Sequence, residues 1–326
     1  MIKLVMDSKP ATAPHDPLPT YLVKKYIDVL GPVIARIVNI SLAAGTFFPE
    51  WKMSIVQPLI KKLGLELIMS NYRPISNLPF ISKVTEKAVL EQFVTYANDN
   101  HLFPSYQSAY RKFFSTETAL LKIMNDCLSA MEEQQVTAFV GIDLSSAFDT
   151  VDHSILLEVL KAKYGVDSSA LQWFQSYLMD RTMKVKINNC QSMARKVQSS
   201  VPQGSIAGPI LFSAYASTLP SAISDPNVHL MGYADDHGLY KSFPLNSSEF
   251  DNIKTLEDTL MMVKQWMTSN RLMMNDAKTE FLYIGSRQQL EKCTVTSIKV
   301  GDCDVPCGHS IKYLGVILDS TLSLNE

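Results

Sequence analysis

Two adjacent aspartates, Asp235 and Asp236, interrupt a largely apolar stretch between Val228 and Tyr240. Carboxylates that stand side by side repel each other, so a fold that keeps both ionised favours a bound cation at that point. Such a pair makes poor core material and good metal ligands. The apolar flanks therefore predict a hairpin whose turn carries the two aspartates.

A third carboxylate, Asp143, ends an earlier apolar run that covers residues 136–142. One carboxylate at a strand end and a pair on a neighbouring hairpin could form a two-metal centre for phosphoryl transfer. Magnesium demands near-octahedral geometry, which suits carboxylates on rigid elements such as a strand. Taken alone, Asp143 is also compatible with a helix cap or a solvated aspartate. Asp149 and Asp152 follow in a turn and are predicted to cap a helix that starts at Ser154 or beyond.

The chain has 326 residues, of which 46% are hydrophobic and 19% charged, as in an ordinary folded protein. That length allows one large core or two to three subdomains. The formal net charge of −2 gives no sign of a polyanionic partner. Contacts to nucleic acid would therefore have to come from local basic clusters.

Five scattered cysteines, an odd number, favour a reduced intracellular protein of the cytoplasm or nucleus over a disulfide scaffold. The CDVPCGH segment at residues 303–309 lacks a paired C-x-x-C knuckle, so a zinc site is not expected there. The longest apolar stretch, Leu30 to Gly45, is interrupted by Arg36 and Asn39. Its helical spacing predicts a buried amphipathic helix and not a membrane span, and no membrane partner is expected.

Hydrophobic periodicity predicts an α+β domain with an antiparallel sheet that is covered by helices on one face. The predicted helices cover residues 21–44, 82–98, 116–133, 155–164, 170–178, 205–218 and 250–270. The predicted strands cover residues 55–60, 136–143, 183–187, 195–201, 281–284 and 311–318, with a hairpin at 228–240. The inner faces of two helices are predicted to be Leu120, Leu121, Met124, Leu128 and Met131, and Leu256, Leu260, Val263 and Met267.

Two further segments have side chains that suit a nucleotide pocket. Phe148 is a core residue by default, but beside Asp143 its ring could lie beneath an incoming sugar and exclude a 2′-hydroxyl. Gln203 and Gly204 lie in a glycine-bearing loop that enters a helix, where backbone N–H groups are free for a phosphate or a base. An ordinary helix entry is the alternative for this loop.

Basic residues occur at three places that a phosphoryl-transfer site could use. Lys61, Lys62 and Arg73 could supply the cations that a triphosphate leaving group needs, although exposed basic residues are commonly only solvated. The YRK segment at 110–112 suits contact with backbone phosphates, while Thr116 and Glu117 after it are predicted to cap a helix. Lys278 could protonate departing pyrophosphate as a general acid, or be an exposed loop lysine.

Seven strings carry most of the remaining information. They are NYRPIS at 71–76, QSAYRKFFSTETALL at 107–121, DLSSAFDTVDH at 143–153, VPQGSIAGPILF at 201–212, YADD at 233–236, NDAKTE at 275–280 and KYLG at 312–315. In this order they resemble reverse transcriptases of LINE-type non-LTR retrotransposons. Each string is modest, but seven in the correct order are highly specific, and the resemblance spans nearly the whole chain.

The resemblance implies a right-hand polymerase with fingers and palm, whose antiparallel palm sheet is covered by helices and whose thumb is missing or truncated. We expect an N-terminal lead-in and helical extension at 1–49, fingers at 50–135, a palm at 136–320 within a reverse transcriptase domain at 55–320, and a truncated C-terminus at 321–326. The implied activity is RNA-directed DNA synthesis, in which a primer 3′-oxygen attacks the α-phosphate of a dNTP with the assistance of two Mg²⁺ ions, or Mn²⁺ in their place. The expected partners are an RNA template, a DNA primer and a dNTP, with another polypeptide to supply a thumb or an endonuclease.

The resemblance also implies a role for individual residues. Asp143, Asp235 and Asp236 would hold the metals with help from the Leu144 carbonyl, and Lys278 would assist pyrophosphate departure. Phe148 would be the sugar gate. The remaining implied contacts are Lys61 and Arg73 on the triphosphate, Gln203 with Gly204 in the nucleotide and template pocket, and Tyr313, Leu314 and Gly315 as the primer grip.

Some positions depart from the family pattern. Phe113 and Phe114 stand where a small and polar pair is usual, and Ala207 replaces a larger aliphatic residue. Two alternatives stay open at this point. The chain could be a non-catalytic, nucleic-acid-binding remnant of such an element, or it could copy RNA into RNA, which the bulk of Phe148 disfavours.

Overall fold

The computed structural model describes residues 1–10, 12–145, 147–245 and 248–323. Ser146 of the DLSSAFD string and residues 324–326 of the predicted C-terminal segment lie outside the described residues. The chain forms two compact units, which we call the first unit (Met1–Phe103 with Phe148–Tyr215) and the second unit (Pro104–Ala147 with Ala216–Glu326). The division into lead-in, fingers and palm at residues 49 and 135 stays a prediction.

The helices follow the predicted order. They are α1 (Ile2–Met6), α2 (Thr20–Lys25), α3 (Ile27–Ala43), α4 (Phe80–Asp99), α5 (Thr116–Glu132), α6 (His153–Ala162), α7 (Ser168–Leu178), α8 (Ala207–Tyr215), α9 (Glu249–Ser269) and α10 (Arg287–Leu290). Two predicted helices differ in extent, because 21–44 is divided at Tyr26 and 205–218 becomes a 3₁₀ helix at Ala216–Ala222. None of the described helices combines the length and the apolar character that a membrane crossing requires.

The strands are more numerous than predicted. They are β1 (Met53–Ile60), β2 (Tyr72–Asn77), β3 (Gln135–Ile142), β4 (Leu144–Ser145), β5 (Arg181–Ile187), β6 (Cys190–Gln191), β7 (Arg195–Val197), β8 (Val228–Tyr233), β9 (Asp236–Pro244), β10 (Met273–Met274), β11 (Glu280–Ile284), β12 (Ser297–Val300), β13 (Cys303–Gly308), β14 (Ser310–Tyr313) and β15 (Val316–Asp319). The single strand predicted at 311–318 is wrong, because a turn at Leu314 and Gly315 divides it into the hairpin β14–β15.

The first unit combines a small sheet with a helical layer. Its strands lie in the order β2-β1-β5-β6, and β7 also pairs with β5. The β1–β2 and β5–β7 pairs are antiparallel, whereas β1 and β5 run parallel. Aromatic rings fill part of the core, where Phe47 makes edge contacts with Trp51, Trp173 and Tyr177 at centroid distances of 5.0–5.4 Å.

A buried carboxylate anchors the loop that enters α8. Glu86 of α4 accepts hydrogen bonds from the backbone N–H groups of Ile206 (2.7 Å) and Ala207 (3.1 Å), where α8 begins. A carboxylate at a helix N-terminus is favoured by the unpaired N–H groups there. Burial raises the pKa of Glu86, and the nearby Arg181 guanidinium and these N–H groups oppose that effect.

The second unit is built on a six-stranded sheet in the order β12-β13-β11-β3-β9-β8. All its pairs are antiparallel, as predicted, except β11–β13, which is parallel. Strand β3 lies in the middle, and Val136 to Val140 are at most 1% exposed. A strand buried on both faces reads as a continuous apolar run, which is how β3 appears in the sequence.

Helices cover both faces of this sheet, in contrast to the prediction of one covered face. One face carries Phe139, Tyr240 and Leu282 against α5. Tyr283 points to the other face, where its hydroxyl donates to Glu249 at the start of α9 (2.9 Å). The predicted inner stripe of α9 is confirmed, because all four of its residues are buried.

The predicted inner stripe of α5 is wrong in part. Leu121 and Leu128 are 64% and 47% exposed, and the buried face consists of Ala119, Leu120, Ile123, Cys127 and Ala130. Small side chains let the helix approach the sheet closely, so size and not hydrophobicity alone decides which face is turned inward. Ser115 is the N-cap and forms a capping box with Thr118, one position before the predicted cap.

Gly204 offers a test of the loop before α8. Its φ is +105°, and a Cβ there would lie 2.8 Å from the carbonyl oxygen of Ser76. Gly204→Ala should therefore lower the free energy of unfolding by about 3 kcal/mol, through backbone strain and the clash together. Gly64 is the matched control, because its φ is +86° and a Cβ would meet nothing within 4 Å. Gly64→Ala should cost only about 1 kcal/mol. Equal losses in urea unfolding would contradict this packing.

Candidate active site

Pairing between β3 and β9 brings the predicted aspartates together. The register matches Gly141 with Gly238 and Ile142 with His237, so the next position on each side holds Asp143 and Asp236. Side chains alternate along a strand, and both aspartates therefore lie on the face that carries Phe139 and Tyr240. The expected meeting of these two segments is confirmed at the level of the backbone.

The hairpin turn is one residue earlier than predicted. Tyr233 pairs with Asp236, so the two-residue loop consists of Ala234 and Asp235, and Asp236 is the first residue of β9. Ala234 has φ +58°, in the left-handed region that two-residue hairpins require and that glycine usually occupies. His237 supports the turn, because its Nδ1 donates to the carbonyl of Asp235 (3.0 Å).

The electrostatics at the turn are those of crowded like charges. Burial, followed by the charges of Asp235 and Asp143, raises the pKa of Asp236 to about 6, although its side chain keeps contact with solvent. Tyr110 borders the same turn, and burial with the charges of Asp235, Tyr233 and Asp236 raises the pKa of its hydroxyl to about 12. A cation among these carboxylates would relieve the repulsion.

Lys278 is brought to the aspartates by a short strand pair. Strand β10 pairs with β4, so that Met274 faces Leu144, and the N–H of Asn275 donates to the carbonyl of Asp143 (2.9 Å). A 3₁₀ turn at Asp276–Lys278 then places the Lys278 Nζ 3.7 Å from Asp143 Oδ2. The lysine is 66% exposed, so this ion pair contributes little to stability and leaves the ammonium accessible.

Tyr313 forms the support under the site. Its ring packs edge-on against Phe139 at 5.3 Å, and its hydroxyl donates to the carbonyl of Met231 (3.2 Å). A Cβ on Gly238 would come within 2.7 Å of the Phe139 ring and 3.2 Å of the Tyr313 hydroxyl, so glycine is needed there. Burial and the charge of Asp236 raise the pKa of the Tyr313 hydroxyl.

The other predicted primer-grip residues lie at the tip of β14–β15. Leu314 and Gly315 have φ values of +50° and +86° and form a two-residue hairpin turn. Gly315 is exposed, and a Cβ there would meet nothing within 4 Å. The tip therefore presents backbone to solvent, whereas Tyr313 is a core residue.

One residue in contact with the aspartate turn was not identified from the sequence as a site residue. Gln107 is fully buried, and its side-chain amide hydrogen-bonds to both the N–H (3.0 Å) and the carbonyl (3.3 Å) of Ala234. The segment around it runs parallel to β8, where Ser108 and Tyr106 exchange backbone hydrogen bonds with Gly232 (2.9 Å each). The only signal in the sequence is that Gln107 opens the QSAYR string.

Phe148 and Gln203 belong to the first unit. The Phe148 ring is half-buried and packs against Phe212 at 5.1 Å, while its carbonyl accepts from the N–H of Val201 (3.0 Å). Gln203 Nε2 donates to Asp149 Oδ2 (3.3 Å), and the Gln203 carbonyl accepts from the N–H of Ser76 (2.7 Å). Phe148 and the 201–204 loop are therefore neighbours, as a shared nucleotide pocket requires.

Asp152 has the predicted capping role and Asp149 does not. Asp152 Oδ1 accepts from the N–H groups of Ser154 and Ile155 at the start of α6 (2.9 and 3.1 Å). Asp149 instead accepts from Gln203, and burial raises the pKa of Asp149.

Lys61 and Arg73 share the β1–β2 hairpin. Arg73 pairs with Leu59, and the N–H of Lys61 donates to the carbonyl of Asn71 (2.8 Å). Both basic side chains are exposed, as is Lys62. The hairpin therefore presents cations to solvent at one end, which fits a binding site for an anion without identifying it.

The donor set of the aspartate site suits a hard divalent cation. Carboxylate oxygens and a backbone carbonyl, as at Leu144, are ligands that Mg²⁺ and Mn²⁺ prefer. Within the described part of the chain, no three His, Cys, Asp or Glu side chains are already arranged as ligands of one metal ion, and this includes Cys303, Cys307 and His309. Metal binding by Asp143, Asp235 and Asp236 therefore stays a proposal, supported by the backbone register and the raised pKa of Asp236.

Comparison with known proteins decides the family. The family model described as reverse transcriptase (RNA-dependent DNA polymerase) matches residues 60–318. The chain belongs to the reverse transcriptase family. The resemblance to LINE-type enzymes is confirmed, and membership of this family implies dependence on a divalent metal in general.

Relatives come from mobile elements. The chain is 28% identical over 288 residues to a probable RNA-directed DNA polymerase from transposon X-element of Drosophila melanogaster. This match covers 86% of this chain and 30% of that protein. It is also 26% identical over 331 residues to the RNA-directed DNA polymerase from mobile element jockey of Drosophila funebris. That match covers 99% of this chain and 35% of the jockey protein. The chain thus spans about a third of the length of these relatives.

Solved structures support the same fold. Apo telomerase from Candida tropicalis gives a TM-score of 0.57 at 13% identity and covers 91% of this chain and 53% of that chain. A form of this telomerase truncated from the C-terminal domain gives a TM-score of 0.54 at 14% identity, and the match covers 85% of this chain and 59% of that chain. At this identity the likeness shows the fold alone, a polymerase fingers-and-palm fold whose sheets are flanked by helices.

The crowding at Asp236 predicts a pH-dependent stability. A carboxyl whose folded pKa is about 6, against 3.8 when unfolded, stabilises the fold only at low pH, and that contribution is lost as the pH rises through 6. Without divalent metal, Asp236→Asn should be more stable than the wild type at pH 7.5 by on the order of 1 kcal/mol, because solvent screens part of the effect. The advantage should shrink towards pH 4.5 in urea unfolding.

The control for this measurement is Asp304→Asn, which changes an exposed aspartate of the same unit. It should show no comparable gain at pH 7.5. An Asp236→Asn variant whose stability follows the wild-type pH profile would contradict the electrostatic description of the turn.

Proposed function

We propose that this chain is an RNA-directed DNA polymerase that transfers a nucleotide from a dNTP to a primer 3′-hydroxyl. The observation that carries the proposal is the β3–β9 register, which puts Asp143 beside Asp236 at the hairpin of the YADD string. Two Mg²⁺ ions held there would activate the nucleophile and stabilise the charge that develops on the leaving group. Family membership supports this activity, as do relatives named RNA-directed DNA polymerase.

The chain's own residues would do the rest of the chemistry. Asp143, Asp235 and Asp236 would hold the metals with the Leu144 carbonyl, and Lys278 stands 3.7 Å from Asp143 with an accessible ammonium. From there Lys278 would give a proton to the departing pyrophosphate as a general acid. Lys61 and Arg73 would neutralise the triphosphate from the β1–β2 hairpin.

We assign the nucleotide pocket to the cluster of Phe148, Gln203 and Gly204. The Gln203 side-chain amide donates to Asp149, and Gly204 beside it is exposed to solvent. Phe148 would lie under the sugar and exclude a 2′-hydroxyl, while Tyr313, Leu314 and Gly315 would hold the primer end. RNA template, DNA primer and dNTP are thus the proposed partners.

Nucleic acid would also meet the loop before α5. Lys112 lies 4.9 Å over the ring of Phe113, which is 86% exposed, and Arg111 lies 4.3 Å over the ring of Phe114. Exposed aromatic rings with adjacent cations suit base stacking and phosphate contact. The odd number of scattered cysteines in the sequence supports an intracellular location as a further part of the proposal.

A primer-extension assay tests the activity. With poly(rA)/oligo(dT) and Mg²⁺, the wild-type chain should incorporate dTMP, and the Asp235→Ala/Asp236→Ala variant should fall to background because both turn carboxylates are lost. Binding of the hybrid should persist in the variant. If the wild-type chain binds the RNA–DNA hybrid but incorporates no dTMP, the chain is a non-catalytic, nucleic-acid-binding remnant and not a polymerase.

Phe148→Ala tests the sugar gate. Removing the ring should lower the ratio of kcat/KM for dNTP over rNTP by about tenfold or more, because steric exclusion of the 2′-hydroxyl is lost. Phe148→Tyr keeps the bulk and should keep the ratio. If the two variants discriminate like the wild type while remaining folded, Phe148 is a packing partner of Phe212 only.

A further inference from the structure

We propose that Gln107 is a positioning residue that holds the aspartate turn in its metal-binding shape. This inference rests on the proposed metal site and extends it to a side chain that touches neither substrate nor metal. It concerns the second unit alone, since both Gln107 and the turn belong to it.

The first argument is the hydrogen-bond pattern. Gln107 Oε1 accepts from the N–H of Ala234 (3.0 Å) and from the N–H of Ala109 (3.0 Å), while Nε2 donates to the carbonyl of Ala234 (3.3 Å). One side-chain amide thus satisfies both backbone polar groups of Ala234. The side chain is fully buried, so these groups would otherwise lack water as a partner.

The second argument is backbone strain at the same residue. Ala234 adopts φ +58°, a region that is unfavourable for a residue with a Cβ and that persists only where the surroundings enforce it. The amide of Gln107 provides that enforcement. Because Asp235 follows directly and Asp236 begins β9, the conformation of Ala234 sets the direction of both carboxylates.

The third argument is that Gln107 is itself held rigidly. Tyr106 donates its hydroxyl to the carbonyl of Ala216 (2.7 Å), and the Tyr106 ring packs where a Cβ on Gly232 would come within 2.9 Å. Arg111 Nη1 donates to the carbonyl of Gln107 (3.2 Å). The backbone on both sides of the Gln107 side chain is therefore anchored. From this anchored position the side-chain amide can hold the turn in one geometry.

Binding of Mn²⁺, followed by electron paramagnetic resonance of the free ion, tests the inference without relying on catalysis. Gln107→Met keeps the size of the side chain and removes its hydrogen bonds. It should weaken Mn²⁺ binding by about tenfold, the effect typical of losing a group that orients metal ligands. Asp236→Asn should weaken binding at least as much.

Thr137→Val is the matched control for lost stability. Thr137 hydrogen-bonds Ser242 (2.9 Å) in the same β3–β9 pair, towards the opposite end from the aspartates. Its loss should lower the Tm and leave the Mn²⁺ affinity unchanged. Wild-type Mn²⁺ affinity in Gln107→Met would overturn the proposal, and so would a wild-type chain whose Mn²⁺ binding does not depend on Asp236.

A second variant covers the case in which Gln107→Met fails to fold. Ala234→Gly relieves the left-handed strain, so Gln107→Met/Ala234→Gly should fold and still bind Mn²⁺ about tenfold more weakly than Ala234→Gly alone. Equal affinity of these two variants would overturn the proposal. If Gln107→Met weakens Mn²⁺ binding while the wild-type chain does not extend a primer, the role of Gln107 is supported and the proposed polymerase activity is refuted.

Discussion

The pairing of β3 with β9 is the interaction on which the rest of the site depends. It matches Ile142 with His237, and this one register puts Asp143 beside Asp236. A slip of one residue would turn one of the two carboxylates to the opposite face of the sheet. Gly238 leaves room on the aspartate face for the rings of Phe139 and Tyr313, and Tyr313 buries its ring below the carboxylates. The sheet therefore fixes both the position of the acidic groups and the apolar support beneath them.

Repulsion between the carboxylates destabilises this arrangement, and contacts from the surrounding residues offset part of the destabilisation. Burial and neighbouring carboxylates raise the pKa of Asp236, while Lys278 supplies a single, largely exposed positive charge near Asp143. The strain at Ala234 is offset by the amide of Gln107, and His237 fixes the Asp235 carbonyl. The clustered carboxylates and the left-handed conformation of a non-glycine residue are both locally unfavourable. Such unfavourable features are common at functional sites, where the surrounding structure maintains them.

The sequence predicted those parts of the structure that depend on continuous patterns. The apolar run before Asp143, the YADD hairpin and the inner stripe of α9 are each visible as periodicity, and the meeting of the aspartates follows from them. The contact of Gln107 with Ala234 could not be predicted, because it is a side chain bonding to a backbone far along the chain. The inner face of α5 was assigned wrongly, since small residues such as Ala119 and Cys127 pack inward while Leu121 faces solvent. Strand β2 was missed because Pro74 and polar neighbours mask it.

The place of β3 in the second unit has a consequence for how the protein is made. Its central residues are shielded on both sides, yet both neighbours, β9 and β11, are synthesised long after it, and the 148–215 segment of the first unit emerges in between. While that segment is being translated, the apolar strand β3 has two unpaired edges, because β9 and β11 have not yet been synthesised. Such intermediates associate readily with other chains. Production of this protein should therefore benefit from chaperones that shield nascent strands.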